Sequence, residues 1–150
     1  MEEFPYFWDS LFLPAMKHPN AFSKAEHLCG EKRISKLFVE GEAFICYPLR
    51  VLFRIEPKLD VEPASILVSV PKKRFKRANK RNRIKRLLRE TYRLNKQEMI
   101  DLLNEKQVQI HVAFNYVSDE ELDFPFIEKK MKTALQKLQS RIETYQVEIC

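Results

Sequence analysis

Of the 27 lysines and arginines in this 150-residue chain, 13 fall between Lys72 and Lys96, with Glu90 as the single acid among them. That stretch carries +12, while the rest of the chain, with 14 basic and 20 acidic side chains, carries −6. Surface helices ordinarily interleave charges of both signs in i,i+4 pairs, and here only Glu90 is placed to balance Arg86. Charge concentrated in this way builds a local surface for a polyanion. Arginine forks and lysine ammonium groups both bind phosphate oxygens. Asn82 adds a donor and an acceptor that can reach a base edge or a ribose hydroxyl.

Other chemistries find little support. His18, His27 and His111 stand apart in sequence, with no metal or acid/base spacing, and His111 reads as a polar-face strand residue. Asp119, Glu120, Glu121 and Asp123 precede a helix, where acids complement the positive end of its dipole, a better account than a metal cluster. Cys29, Cys46 and Cys150 lack C-x-x-C pairing and read as reduced thiols. The only glycines are Gly30 and Gly41, which excludes both G-x-G-x-x-G and G-x-x-x-x-G-K-[ST]. No apolar run approaches the ~20 residues of a membrane span, and the acidic start lacks the basic-then-apolar pattern of a secretory signal. The expectation is a cytoplasmic protein with no membrane partner, no catalytic side chain, no metal ligands and no cofactor motif.

The elements that must position the cations follow from periodicity. Residues 1–21 are rich in aromatics and proline without a sustained period, and are set apart as an extension from a domain over 22–150. Ser23-Lys24-Ala25-Glu26 matches a capping box, with Gly30 stopping the turn it starts. A helix is expected from about Glu31 to Glu40, with Ile34, Leu37 and Phe38 on one face and Gly41 as terminator. Phe44 to Ile55 reads as strand, with Pro48 at an edge or bulge, and Ser65 to Val70 as another strand ended by Pro71.

A helix from about Asn79 places Ile84, Leu87, Leu88, Thr91, Tyr92 and Asn95 on one side at 100° per residue. Met99 and Leu102 extend that side if the helix continues to about Asn104. Lys85, Arg89, Asn82, Arg93 and Arg86 occupy the other side within about 100° of the wheel. Gln107 to Tyr116 alternates as a strand with one polar face, and a final helix N-capped near Asp123 runs to about residue 145. The order helix, two or three strands, basic helix, strand, helix specifies an α/β (α+β) two-layer sandwich with a small mixed sheet. Cations in the first turns of the basic helix oppose its macrodipole, an arrangement that becomes favourable when phosphates occupy that end.

The run Arg81-Asn82-Arg83-Ile84-Lys85-Arg86-Leu87-Leu88-Arg89-Glu90 resembles the R-N-R signature of the bacterial ribonuclease P protein component. Ser69-Val70-Pro71-Lys72-Lys73 is similar to that family's strand end, and Ile34 to Gly41 to the end of its first helix. The resemblance covers about residues 22 to 140. It implies a left-handed β-α-β crossover, an exception to the usual right-handed rule. It also implies a small subunit that helps a catalytic RNA remove the 5′ leader of precursor tRNA, with Mg2+ serving the RNA-containing holoenzyme.

Carried over by position, Lys72, Lys73, Arg81, Asn82, Arg83, Lys85, Arg86 and Arg89 become RNA contacts. The neighbouring Arg74, Lys76, Arg77, Lys80 and Arg93 join them on charge. Ile34 and Phe38 become the wall of a leader cleft, with the strand aromatics Phe44, Tyr47 and Phe53 as stacking surfaces or, alternatively, plain core. The loop 74–80 is one residue longer and more basic than the family's Gly-Asn-Ala loop, and Ile34 stands where members commonly place an aromatic.

Two rival functions are weaker. A basic-helix DNA-binding factor needs apolar a/d positions over three or more heptads, which are missing before the strand at Gln107. A structural, ribosomal-type RNA-binding protein fits the composition equally well and is disfavoured by the motif alone.

Overall fold

The computed structural model describes residues 26–57 and 62–146. The extension 1–21 and the capping-box residues Ser23, Lys24 and Ala25 lie outside them. The elements are α1 (Glu31–Glu40), β1 (Glu42–Cys46), β2 (Leu49–Pro57), β3 (Ala64–Ser69), α2 (Ala78–Asn95), α3 (Gln97–Lys106), β4 (Val108–Tyr116) and α4 (Phe124–Thr144). They form a mixed α/β fold around one sheet of order β1-β2-β4-β3. β1–β2 and β2–β4 are antiparallel, whereas β3 and β4 are parallel, with α2 and α3 as the crossover between them.

Alternation sorts the strand residues between two faces. Val51 and Phe53 of β2, Ile66 and Val68 of β3, and Ile110, Val112 and Phe114 of β4 enter the main core. There they meet Ile84, Leu88 and Tyr92 of α2, Met99 and Leu103 of α3, and Ile127, Met131, Leu135 and Leu138 of α4. The opposite face is covered in part by α1, whose Leu37 packs with Leu28, Leu52 and Ala113 in a smaller cluster joined by Ile34 and Leu67. Gly41 ends α1 because the chain passes tightly there: a Cβ would lie 2.3 Å from the Leu37 carbonyl oxygen. Asp123 caps α4, its carboxylate accepting from the Phe126 N–H at 3.2 Å.

Three expectations are resolved or corrected. Of the two or three strands expected before the basic helix there are three: Phe44 to Ile55 spans a hairpin, because Tyr47 and Pro48 form the turn between β1 and β2. The basic helix does not continue smoothly to Asn104. It breaks at Lys96, which is buried and ion-paired to the equally buried Glu26 at 2.5 Å. An unpaired charge would be costly there, and the pair sits at the junction of α2 and α3.

The third concerns β4, whose polar face is mostly covered. Gln109, His111 and Ala113 are buried on the α1 side of the sheet, and Asn115 alone of that face stays half-exposed. Two of these polar side chains meet on one carboxylate: His111 Nε2 lies 3.0 Å from Glu56 Oε1, and Gln109 donates to the same oxygen at 2.6 Å. Burial pushes the Glu56 carboxyl up, but hydrogen bonds from Gln109 and Arg54 outweigh it and hold it below the usual range. Among the described residues no helix is long and apolar enough to cross a membrane.

Candidate nucleic-acid interface

Helix α2 is anchored by one face and charged on the other. Ile84, Leu88, Thr91 and Tyr92 are buried, with the Tyr92 and Phe114 rings 6.1 Å apart. That anchoring turns Asn82 and Arg86 fully outward, with Lys85, Arg89 and Arg93 half-exposed along the same strip. The Arg89 Nε is itself buried without a hydrogen-bond partner. The first turn of α2 holds no acid, and its N-cap, Arg77, supplies no side-chain cap. The Lys80 N–H donates to Asn79 Oδ1 at 2.9 Å; the other amides of the first turn and the basic side chains converge on one end of the helix, a placement suited to phosphate.

The loop before α2 continues the charge. Lys72, Lys73, Lys76, Arg77, Lys80 and Arg83 are exposed. Phe75 pins the loop by burying its ring 5.9 Å from that of Tyr116. Three of the expected RNA contacts have duties inside the protein. The Arg81 guanidinium donates to the Phe75 and Lys76 carbonyls at 2.8 and 2.9 Å, tying the loop to the helix. Arg74 pairs with Asp119 at 2.9 Å, and Arg93 with Glu90 at 2.5 Å. The hydrogen bond from Arg93 holds the Glu90 carboxyl below the usual range.

The acids before α4 thus have their explanation in geometry. Asp119 and Glu121 line a cleft of about 330 Å³ with Arg74, Lys76, Arg77 and Lys80, while Asp123 caps the helix. Among the described residues no group of three or more His, Cys, Asp or Glu is arranged to hold a metal ion.

The expected leader-cleft residues do not form one surface. Phe53 is 4% exposed, and Phe44 packs against it in the main core, ring centroids 5.9 Å apart, with the Lys137 ammonium over the Phe44 ring. Both belong to the α4 side of the sheet, so of the two readings the sequence leaves open for them, the structure selects core. Ile34 and Phe38 lie on the opposite side with α1, where Ile34 is half-buried and Phe38 is 52% exposed. Tyr47 sits in the hairpin turn, half exposed, its hydroxyl donating to Ser118 Oγ at 2.9 Å.

A different set of residues accompanies Phe38. Ile45, Arg50, Asn115 and Ser69 are register partners across all four strands and share the α1 side of the sheet. Ile45 and Arg50 are exposed, Asn115 and Ser69 half-exposed. This open row joins an apolar, a cationic and two hydrogen-bonding side chains. Its sequence signal was the alternation in Leu49-Arg50-Val51-Leu52-Phe53-Arg54, in which Arg50 falls opposite the core residues.

Comparison with known proteins identifies the family. The Ribonuclease P family model matches residues 22–139. The ribonuclease P protein component of Porphyromonas gingivalis is 46% identical over 129 residues, covering 85% of this chain and 94% of that protein. That of Chlorobium phaeobacteroides is 32% identical over 120 residues, covering 74% and 81%. Among solved structures, the Staphylococcus aureus RNase P protein superposes with a TM-score of 0.58 at 18% identity, covering 77% of this chain and 96% of that one. A mutant of the same S. aureus protein gives 0.62 at 15% identity, covering 89% and 96%. The solved structures share the fold, the family model takes in every strand, the whole basic helix and its loop, and identity approaches one half with a full-length relative. The chain belongs to the ribonuclease P protein component family.

Proposed function

We propose that this chain is the RNA-binding subunit of a ribonucleoprotein endonuclease that removes the 5′ leader from precursor tRNA. The observation that carries the reading is α2: a cationic strip held outward by a buried opposite face, with an acid-free first turn. That strip and the loop Lys72–Lys80 bind the catalytic RNA, neutralising its phosphates. The 5′ leader, being single-stranded, is held by stacking and backbone contacts on the open side of the sheet, at Phe38 and the row Ile45, Arg50, Asn115 and Ser69. The chain supplies binding and orientation. Hydrolysis belongs to the RNA with Mg2+, and no step is assigned to a metal held by this protein.

The test is cleavage of a precursor tRNA by the chain alone, by its cognate RNA alone, and by both together. The expected result is enhancement when both are present and no cleavage by RNA-free protein. Metal-dependent leader removal by RNA-free protein, or no gain from adding protein to RNA, overturns the proposal.

A further inference from the structure

Helix α1 has two unlike flanks. On a 100° wheel, Ile34 and Phe38 lie to one side of the buried Leu37, toward the open row of the sheet. Lys32, Arg33 and Lys36 lie to the other side. A cavity of about 180 Å³ opens beside this second flank, with Lys32, Arg33 and Lys36 on one wall and Arg54, Glu56 and His111 on the other. It stands across α1 from Phe38 and on the opposite face of the sheet from α2.

The floor of the cavity is a built polar site. The His111 side chain is only 7% exposed and rests 3.0 Å from Glu56. Glu56 also accepts from Gln109 at 2.6 Å and from Arg54, and Arg54 pairs at 3.1 Å with Glu40. The negative charge of Glu56 is therefore engaged within the floor. Lys32 and Lys36 make no ion pair among the described residues. Gly30, the N-cap of α1, offers no side chain to its first amides, which add to the positive potential on this side. Lys32 and Arg33 in a first helical turn oppose the dipole, offset only by Glu31. The arrangement is stabilised when an anion enters.

We propose that this cavity binds a phosphate group, carried either by a free nucleotide or by the terminus of an RNA chain. Lys32, Arg33 and Lys36 neutralise the phosphate, and the His111 ring forms the polar floor against which it rests. The site is distinct from the α2 strip and does not depend on the assignment of leader or catalytic RNA.

Ring resonances of His111 in the full-length chain provide the readout. Inorganic phosphate, adenosine 5′-monophosphate and adenosine are titrated separately, followed by one short oligoribonucleotide with and without a 5′-phosphate. The expected result is a saturable shift with the phosphate-bearing probes and none with adenosine. Equal response to the monophosphate and the 5′-phosphorylated oligonucleotide assigns a free-nucleotide source, and a much tighter response to the oligonucleotide assigns an RNA terminus. Lys32→Gln with Lys36→Gln, both exposed positions, should weaken binding at least about tenfold at unchanged circular dichroism, while Arg86→Glu with Arg89→Glu leaves it unaltered. No saturable shift with any phosphate probe, an equal shift with adenosine, or full binding by the doubly substituted chain overturns the proposal.

Discussion

The cationic strip of α2 and the aromatic residues of α1 and the hairpin are both candidate RNA surfaces in the sequence, yet the folded chain treats them differently. The members of the strip share one face because they share one helix, where 3.6-residue periodicity alone sets their common direction. The aromatics are divided by the sheet: Phe44 and Phe53 pack under α4, while Phe38 stays in solvent on the α1 side. A site drawn from one helix is a local property. A site drawn from a helix and two strands depends on register, and a change of one residue sends a side chain to the other face.

The sharpest way to break this comparison is stability. Phe53→Ala should cost about 3–5 kcal/mol by chemical denaturation, the usual cost of emptying a packed aromatic site. Phe38→Ala should fall within about 0.5 kcal/mol of wild type, as expected for an exposed side chain without partners in the core. A large loss at Phe38 would place it in the core beside Phe53.

Function gives the next largest contrast. If Phe38 stacks on the leader, Phe38→Ala should weaken binding of precursor relative to mature tRNA by ~1–3 kcal/mol, with catalytic-RNA affinity nearly unchanged. Equal weakening for both tRNA forms would remove the leader from this surface.

The strip itself can be sharpened in two smaller steps. Arg81→Ala removes the bonds to the Phe75 and Lys76 carbonyls. It should cost about 1 kcal/mol of stability and speed amide exchange in the loop before α2; unchanged exchange would show that Arg81 is not the tie. Glu90→Gln frees the Arg93 guanidinium from its ion pair. The dependence of log affinity on log salt should then steepen by about 0.7–0.9, the contribution of one further phosphate contact. An unaltered slope would mean that Arg93 does not meet RNA.

Much of the fold was legible in the sequence. α1, β3 and α4 follow from helical or alternating periodicity and from Gly41, Pro71 and Asp123 as punctuation. The hairpin was not, because its turn is only Tyr47 and Pro48, and the apolar residues on either side run together as one strand. Nor was the break at Lys96, since Ile84, Leu88, Tyr92, Met99 and Leu103 keep an apolar stripe across it, and the ion-pair partner of Lys96 there, Glu26, is far away in sequence. The burial of His111 was not legible for a related reason. Alternation separates the two faces of a strand but does not reveal that α1 will cover the second one.

The most direct measurement of the central claim is the salt dependence of catalytic-RNA affinity for the wild-type chain and for Arg86→Glu with Arg89→Glu. Each phosphate contact contributes about 0.7–0.9 to the slope of log affinity against log salt. Losing two should flatten the slope by about 1.4–1.8, with the circular dichroism of the fold intact. An unchanged slope, with the doubly substituted chain still binding as tightly as wild type, would show that the α2 strip is a solvated face and that the RNA binds elsewhere.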